Sequence, residues 1–156
     1  MKLKFKDGLK LRGTIRLYDA DTGELLKEAG NMVVADGRNL NGHLLINDSG
    51  YTTGISYCAI GTGTTGVSDS QHTLVAETAR QQVTQKSVST DTVTISTFFV
   101  AANCGVHIRE TALFGHTTAS ITANSGVMFS RALLDYDNSS TPHNLMIAWS
   151  VQLSHA

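Results

Sequence analysis

Residues 3–17, LKFKDGLKLRGTIRL, decide the fold class because apolar and polar side chains alternate along most of their length. Leu9 and Leu11 form one apolar pair in this pattern, and Ile15 and Leu17 form the next. A period of two is the signature of a β-strand that buries one face. The segment therefore predicts a strand near the start of the chain rather than a helix.

A turn follows this strand at residues 19–23, DADTG. Asp and Thr side chains satisfy nearby backbone groups in such turns, and glycine supplies a positive φ. The apolar pattern then returns from Leu25 to Val34. Residues 9–35 are therefore predicted to form a β-hairpin, with Asp7-Gly8 as a turn before it.

Residues 36–46 are the best candidate for a helix. Asp36 is suited to cap it, and Leu40, Leu44 and Leu45 recur at helical spacing. Beyond it, Gly, Ser, Asn and Thr separate short apolar segments that are typical of strands. The predicted strands are residues 55–60, 82–89, 92–100, 106–114, 126–134 and 144–153.

These elements predict a mostly-β protein, an antiparallel β-sandwich or barrel-like domain with an N-terminal β-hairpin arm and one short helix. Residues 1–35 would form the arm, and residues 36–156 would form the body of what is overall a single compact domain. Pro142 is the only proline, and no Pro- or Ser-rich linker marks a second domain.

Charge is scarce and unevenly distributed along the 156 residues. Charged residues make up 16% of the chain, against about 25% in typical proteins. Such a surface suits a protein that lies against other proteins, and it equally suits an ordinary soluble β-domain. Residues 1–16 carry a balance of +5, from six basic residues against Asp7 alone. The basic residues are Lys2, Lys4, Lys6, Lys10, Arg12 and Arg16.

The basic segment has two interpretations. A basic arm on a body whose balance is −6 would bind an acidic partner surface. Alternatively, lysines at alternate positions mark the solvated face of a strand and block edge-to-edge pairing. Trp149 is the only tryptophan, and aromatic residues do not interleave with the basic ones as stacking on nucleic acid requires. No nucleic-acid partner is therefore expected.

Residues 61–66, GTGTTG, match the glycine pattern of dinucleotide-binding folds. The residues that follow do not open an apolar helix, so the segment is predicted to be a loop and not a nucleotide site. Four charged residues lie among apolar neighbours and are expected to form one shared charge network, within the domain or across subunits. They are Glu77, Arg80, Glu110 and Arg131. The catalytic alternative makes Glu77 and Glu110 an acid/base pair of a glycan hydrolase.

No other pattern indicates an enzyme, a metal site or a cofactor. The six histidines are scattered without metal-ligand spacing. Residues 135–138, DYDN, are predicted to be a polar turn rather than a calcium site. Cys58 and Cys104 are expected to be buried free thiols, although spacing alone leaves a disulfide open. No signal peptide or membrane span is expected, because the chain starts with alternation and no stretch reaches about 18 apolar residues.

From residue 51 onward the sequence resembles a group of small structural proteins of tailed bacteriophages, described as tail-fibre-like or decoration-like. The order of several short motifs carries the resemblance over about two-thirds of the chain. The motifs are SYCAIGTG at 56–63, Leu74-x-x-Glu77-x-x-Arg80, TFF at 97–99, Arg109-Glu110-x-x-Leu113-Phe114-Gly115, SG-x-MFSRA at 125–132 and Leu145-x-Ile147-x-Trp149.

The resemblance implies a non-enzymatic virion protein that assembles in the host cytoplasm and self-associates, with a trimer favoured. The chain has no repetitive shaft, and a basic arm suits an acidic shell, so we expect a capsid decoration (cement) protein bound to the major capsid protein. A tail-fibre or collar component is the alternative. A glycan-binding module that uses Trp149 is a more remote one.

Overall fold

The computed structural model describes residues 8–155, which form one antiparallel sheet of nine strands curled into a half-barrel. The mostly-β, barrel-like prediction is thus confirmed, and the alternative of a two-sheet sandwich is not what forms. The strands are β1 Leu9–Asp19, β2 Leu25–Val33, β3 Ile55–Gly61, β4 Glu77–Gln82, β5 Gln85–Ser89, β6 Thr92–Phe99, β7 His107–Gly115, β8 Val127–Asp137 and β9 Leu145–His155.

The strands lie in the order β4-β3-β7-β8-β2-β1-β9-β6-β5 across the sheet. Alternate side chains point into the concave side, where Ile15, Leu17, Ile147 and Trp149 are fully buried. The register keeps these residues together, because Ile15 lies opposite Trp149 and Leu17 opposite Ile147. The alternation read from the sequence therefore corresponds to the concave and convex faces of the sheet.

The predicted hairpin at residues 9–35 is present, but it does not project from the body. Eleven residue pairs join β1 to β9, from Leu9↔His155 to Asp19↔Leu145, and β2 joins β8 through Met32 and Val33. Both strands of the hairpin thus lie in the middle of the sheet and bury apolar residues in the common core. The rest of the predicted arm, residues 1–7 with the Asp7-Gly8 turn, lies outside the described residues except for Gly8.

The single strand predicted at residues 82–89 is a corner that joins the two edges of the sheet. Only Gln82 of it belongs to β4, so the rest of that strand was not predicted. Its second part is β5, and only Val83 and Thr84 separate the two strands. The Val83 N–H donates to the carbonyl of Ser56 at 2.9 Å, and the Thr84 N–H donates to the carbonyl of Ser96 at 2.9 Å. One bent segment therefore brings the first and last strands of the half-barrel together.

Two helices are present among the described residues. The predicted helix is α1, Ala35–Leu45, and it covers one end of the concave side with Leu40. Asp36 does not cap it, which corrects the prediction: the N-cap is Val34, and the first backbone N–H, of Ala35, donates to the carbonyl of Asp69 at 3.0 Å. The four-residue α2, Ala101–Cys104, is a second helix that the sequence did not predict.

Candidate functional site

Two long loops cover the convex face of β4, β3, β7 and β8. They are residues 62–76, between β3 and β4, and residues 116–126, between β7 and β8. A second apolar cluster lies on this face, separate from the concave core. Its buried members are Val34, Ala59, Leu74, Ala112, Phe114 and Met128. Each loop is held over this face by a buried ion pair.

The first ion pair joins Glu110 on β7 to Arg131 on β8, and both side chains are fully buried. Arg131 donates to Oε2 of Glu110 through Nη2 at 2.7 Å and through Nε at 3.1 Å. Its remaining donors reach the 62–76 loop, at the Gln71 side chain and the Thr65 carbonyl, each at 3.0 Å. The guanidinium therefore bridges the sheet and the loop.

The Glu110 carboxylate also accepts backbone hydrogen bonds from the 62–76 loop. The N–H groups of Ala76, Gly63 and Val75 donate to it at 2.7, 3.1 and 3.1 Å. Burial acts to raise the pKa of Glu110, but these backbone donors and Arg131 together outweigh burial and lower its pKa. Glu110 is accordingly held as a buried anion with its oxygens occupied.

The glycine pattern at residues 61–66 is explained by this carboxylate. A Cβ at Gly61 or Gly63 would collide with Oε1 of Glu110, whereas a Cβ at Gly66 would meet no atom within 4 Å. The prediction that the segment is a loop is thus correct. Its first two glycines let the backbone approach an internal anion.

The second ion pair joins Glu77 and Arg80, both on β4 and both almost fully buried. Arg80 donates to the two Glu77 oxygens at 2.8 and 3.0 Å, and its guanidinium carbon lies 4.0 Å from the centre of the Phe114 ring. A further donor reaches the Ser125 carbonyl at 2.6 Å, and the Asn124 N–H donates to Glu77 at 2.9 Å. This pair therefore holds the 116–126 loop.

The four charged residues predicted to form one network instead form two separate ion pairs within the chain, one for each loop. The sequence missed the contacts that fasten α1 to the 62–76 loop. Arg38 donates to both carboxylate oxygens of Asp69 at 2.7 and 2.9 Å, and His72 pairs with Asp36 at 2.5 Å. These are exposed pairs between residues more than thirty positions apart, and no local pattern in the sequence marks them.

The convex face of β2, β1, β9, β6 and β5 carries the described part of the basic segment. Lys10, Arg12 and Arg16 are exposed on β1, and Arg16 pairs with Glu28 on β2 at 2.6 Å. Their neighbours on β9 are uncharged, because Lys10 lies opposite Ser154, Arg12 opposite Gln152 and Arg16 opposite Ala148. Lys2, Lys4 and Lys6 lie outside the described residues.

The other candidate residues have structural surroundings. Cys58 and Cys104 are buried free thiols, as predicted, and burial raises the pKa of each to about 11. Trp149 lies in the core with no exposed surface. The polar turn predicted at residues 135–138 is instead the end of β8, which runs to Asp137 because it stays paired with β7. Asp135 there pairs with His107 at 2.7 Å, and Asn138 is buried.

Asn138 is a structural residue that the sequence did not single out. It donates to the carbonyls of Cys104 and His143 at 3.0 and 3.1 Å, and it accepts from the His143 N–H at 3.0 Å. It thereby ties the end of α2 to the loop before β9. The position of Pro142 in the same loop was the one available signal of a constrained turn.

Within residues 8–155, no three side chains of His, Cys, Asp or Glu come together as ligands of a metal ion would. No helix in this part of the chain is long and apolar enough to cross a membrane. Comparison with known proteins found no matching family model, no matching curated protein and no matching solved structure.

Proposed function

We propose that the protein is a non-enzymatic structural component of a tailed-bacteriophage virion, and specifically a capsid decoration protein. It would bind the outside of the head, on the major capsid protein, after assembly in the host cytoplasm, and it would self-associate, with a trimer favoured. The observation that carries the proposal is the exposed row of Lys10, Arg12 and Arg16 on a strand in the middle of an uncovered sheet face.

Electrostatic complementarity supports this choice of partner. Strand β1 presents three cations on one face, and Glu28 is the only carboxylate paired with them in the described part of the chain. Opposite β1, strand β9 places Ser154, Gln152 and Ala148, so the basic row is bordered on that side by uncharged side chains. A surface of this kind complements an acidic shell, and a protein that binds only the assembled shell shifts the assembly equilibrium toward it.

The state of the two carboxylates supports a structural rather than a hydrolytic role. A general acid must hold a proton near neutral pH, which requires a raised pKa and access to substrate. The pKa of Glu110 is lowered, and its side chain is fully buried against Arg131. Glu77 is bound through both oxygens to Arg80 and to the backbone of the 116–126 loop.

The proposal is tested by mixing the purified protein with heads and tails purified separately from its own phage. Cryo-electron microscopy should show regular density on the head lattice, and cosedimentation with heads should weaken as salt is raised. The charge reversal Arg12→Glu should abolish head binding. The matched control is Arg109→Glu, which reverses an exposed arginine on β7, and it should bind as wild type does.

Three results would overturn the capsid assignment. Density on tails alone would favour the tail-fibre or collar alternative. Equal binding by Arg12→Glu and wild type would exclude the basic face as the contact. Hydrolysis of a glycan that Glu110→Gln abolishes in a folded protein would replace the structural role with an enzymatic one.

A further inference from the structure

The open end of the half-barrel holds a small apolar cavity beside α1. Its volume is about 180 Å³. Apolar side chains from the helix and from the concave face of the sheet form most of its wall, among them Leu11, Leu40, Leu44, Val93, Ile95 and Leu153. Apolar cavities of about 150 Å³ stay dry and accept a benzene-sized group. This cavity is therefore large enough for one branched aliphatic side chain.

Exposed apolar side chains stand next to the cavity, at the end of α1. Leu45 is 86% exposed and Ile46 is 75% exposed, and Leu9 on β1 is 64% exposed. Leu45 and Leu9 line a groove that shares Leu11 and Asn41 with the cavity. One surface thus carries both exposed apolar side chains and an apolar cavity. Within the described residues, nothing covers Leu45 and Ile46.

We propose that the end of α1 of one copy of this chain inserts Leu45 into the cavity of a second copy. Symmetric oligomers use the same surface on every subunit, so the residue that inserts and the cavity that receives it must both be present on each chain. That condition is met here. A two-fold axis would make two such contacts, and a closed three-fold ring would make three.

Area and charge are both compatible with a second copy as the occupant. The exposed parts of Leu9, Leu44, Leu45 and Ile46 amount to roughly 300 Å² of apolar surface, taking about 100 Å² for an aliphatic side chain. A two-fold contact buries this surface on both chains, and a polar rim of similar size on each would bring the total to roughly 1,000 Å², the size of a weak specific interface. Lys10 lines the groove next to Leu9, and Asp48, which pairs with His43 at 2.7 Å, follows Ile46 by two residues, so charges of both signs stand near the apolar surface.

This contact shares only Lys10 with the basic row of β1 and does not depend on a role in the virion. A protein that ignores phage heads would still self-associate through it. Conversely, binding to heads by a protein that stays monomeric in solution would leave the capsid assignment standing and overturn the contact.

Sedimentation equilibrium over a range from about micromolar to several hundred micromolar tests the contact. The wild-type protein should show a mass of two or three chains at high concentration. Leu45→Asp should weaken association about 30-fold or more, the effect expected of a central interface residue. Leu45 is exposed in the single chain, so the variant should keep the wild-type melting temperature and circular dichroism spectrum.

Two further variants make the test specific. Val93→Phe partly fills the cavity and should weaken association as Leu45→Asp does, without lowering the melting temperature. Ile121→Asp is the matched control, because Ile121 is 64% exposed on the 116–126 loop and should leave the mass unchanged. A wild-type protein that stays at the mass of one chain overturns the proposal, as does an oligomer that Leu45→Asp leaves intact.

Discussion

Glu110 shows how a single buried carboxylate organises this protein. It accepts three backbone N–H groups from one loop and two guanidinium donors from Arg131. Breaking a buried pair by removing one partner leaves an uncompensated charge and typically destabilises a protein by about 3–5 kcal/mol. The residue types were visible in the sequence as charges among apolar neighbours. Their pairing was not, because Glu110 and Arg131 meet only when β7 and β8 align.

At Gly63, adding one methyl group should be enough to disturb the buried carboxylate. Gly63→Ala would place a Cβ against Oε1 of Glu110 and the Val75 side chain, so we expect a loss of about 1–3 kcal/mol in the free energy of unfolding. Gly66→Ala is the matched control, because space around Gly66 is open, and it should change stability by less than about 1 kcal/mol. Urea denaturation measures both. Equal losses in the two variants would mean that the close approach at Gly63 is unimportant.

The lowered pKa of Glu110 predicts a specific acid sensitivity. The folded-state pKa lies below the ordinary 4.5, so the pair contributes its full stability above that value and loses it as pH falls through the lowered pKa. Glu110→Gln should be less stable than wild type at neutral pH, and the two should converge in acid. Urea denaturation at a series of pH values measures the free energy of unfolding of both proteins. A difference between them that stays constant into acid would contradict the prediction.

The two loops over the convex face are the elements in which prediction from sequence was least complete. The pattern GTGTTG indicated a loop at residues 61–66, but nothing local showed that a carboxylate 47 residues further along would fix it. Likewise, Glu77 and Arg80 were expected to share a network with Glu110 and Arg131. They instead hold the other loop, because Arg80 points to Ser125 across the sheet surface.

Separate ion pairs should protect separate loops from hydrogen exchange. Arg80→Met removes the donors to Ser125, so amides of the 116–126 loop should exchange faster while those of the 62–76 loop keep their wild-type rates. Arg131→Met should instead speed exchange in the 62–76 loop and leave the 116–126 loop at its wild-type rates. Mass spectrometry of peptides from the two loops distinguishes these results. If either variant accelerated hydrogen exchange equally in both loops, the two ion pairs would behave as the single network that the sequence suggested.

For the molecule as a whole, strand positions were well predicted and strand order was not. Short apolar segments between turn residues located β3, β6, β7, β8 and β9 to within a few residues. Alternate burial is seen in β6 and β9, whereas β3, β7 and β8 are buried on both faces. The order depends on partners such as Leu9 and His155, which lie at opposite ends of the described chain. No local pattern records such pairings. The hairpin was therefore assigned to an arm although it occupies the centre of the sheet.

The central position of β1 predicts how the molecule unfolds. Its amides should exchange as slowly as those of β7, whereas those of the fully exposed edge strand β5 should exchange first. Unfolding in urea should be a single transition with no earlier loss of the hairpin. If the hairpin exchanged or melted before β7, the result would support the predicted division into an arm, residues 1–35, and a body, residues 36–156.

The place of β9 sets a condition on when the chain can fold during its synthesis. β9 is the last strand of the sequence, yet it lies between β1 and β6, and without it the sheet divides into six strands and two. Until β9 leaves the ribosome, the facing edges of β1 and β6 have no partner and present unpaired backbone groups to other nascent chains. Completion of the half-barrel therefore waits for β9, which is synthesised last of the nine described strands. Truncation within β9 should produce aggregation rather than a shorter folded protein.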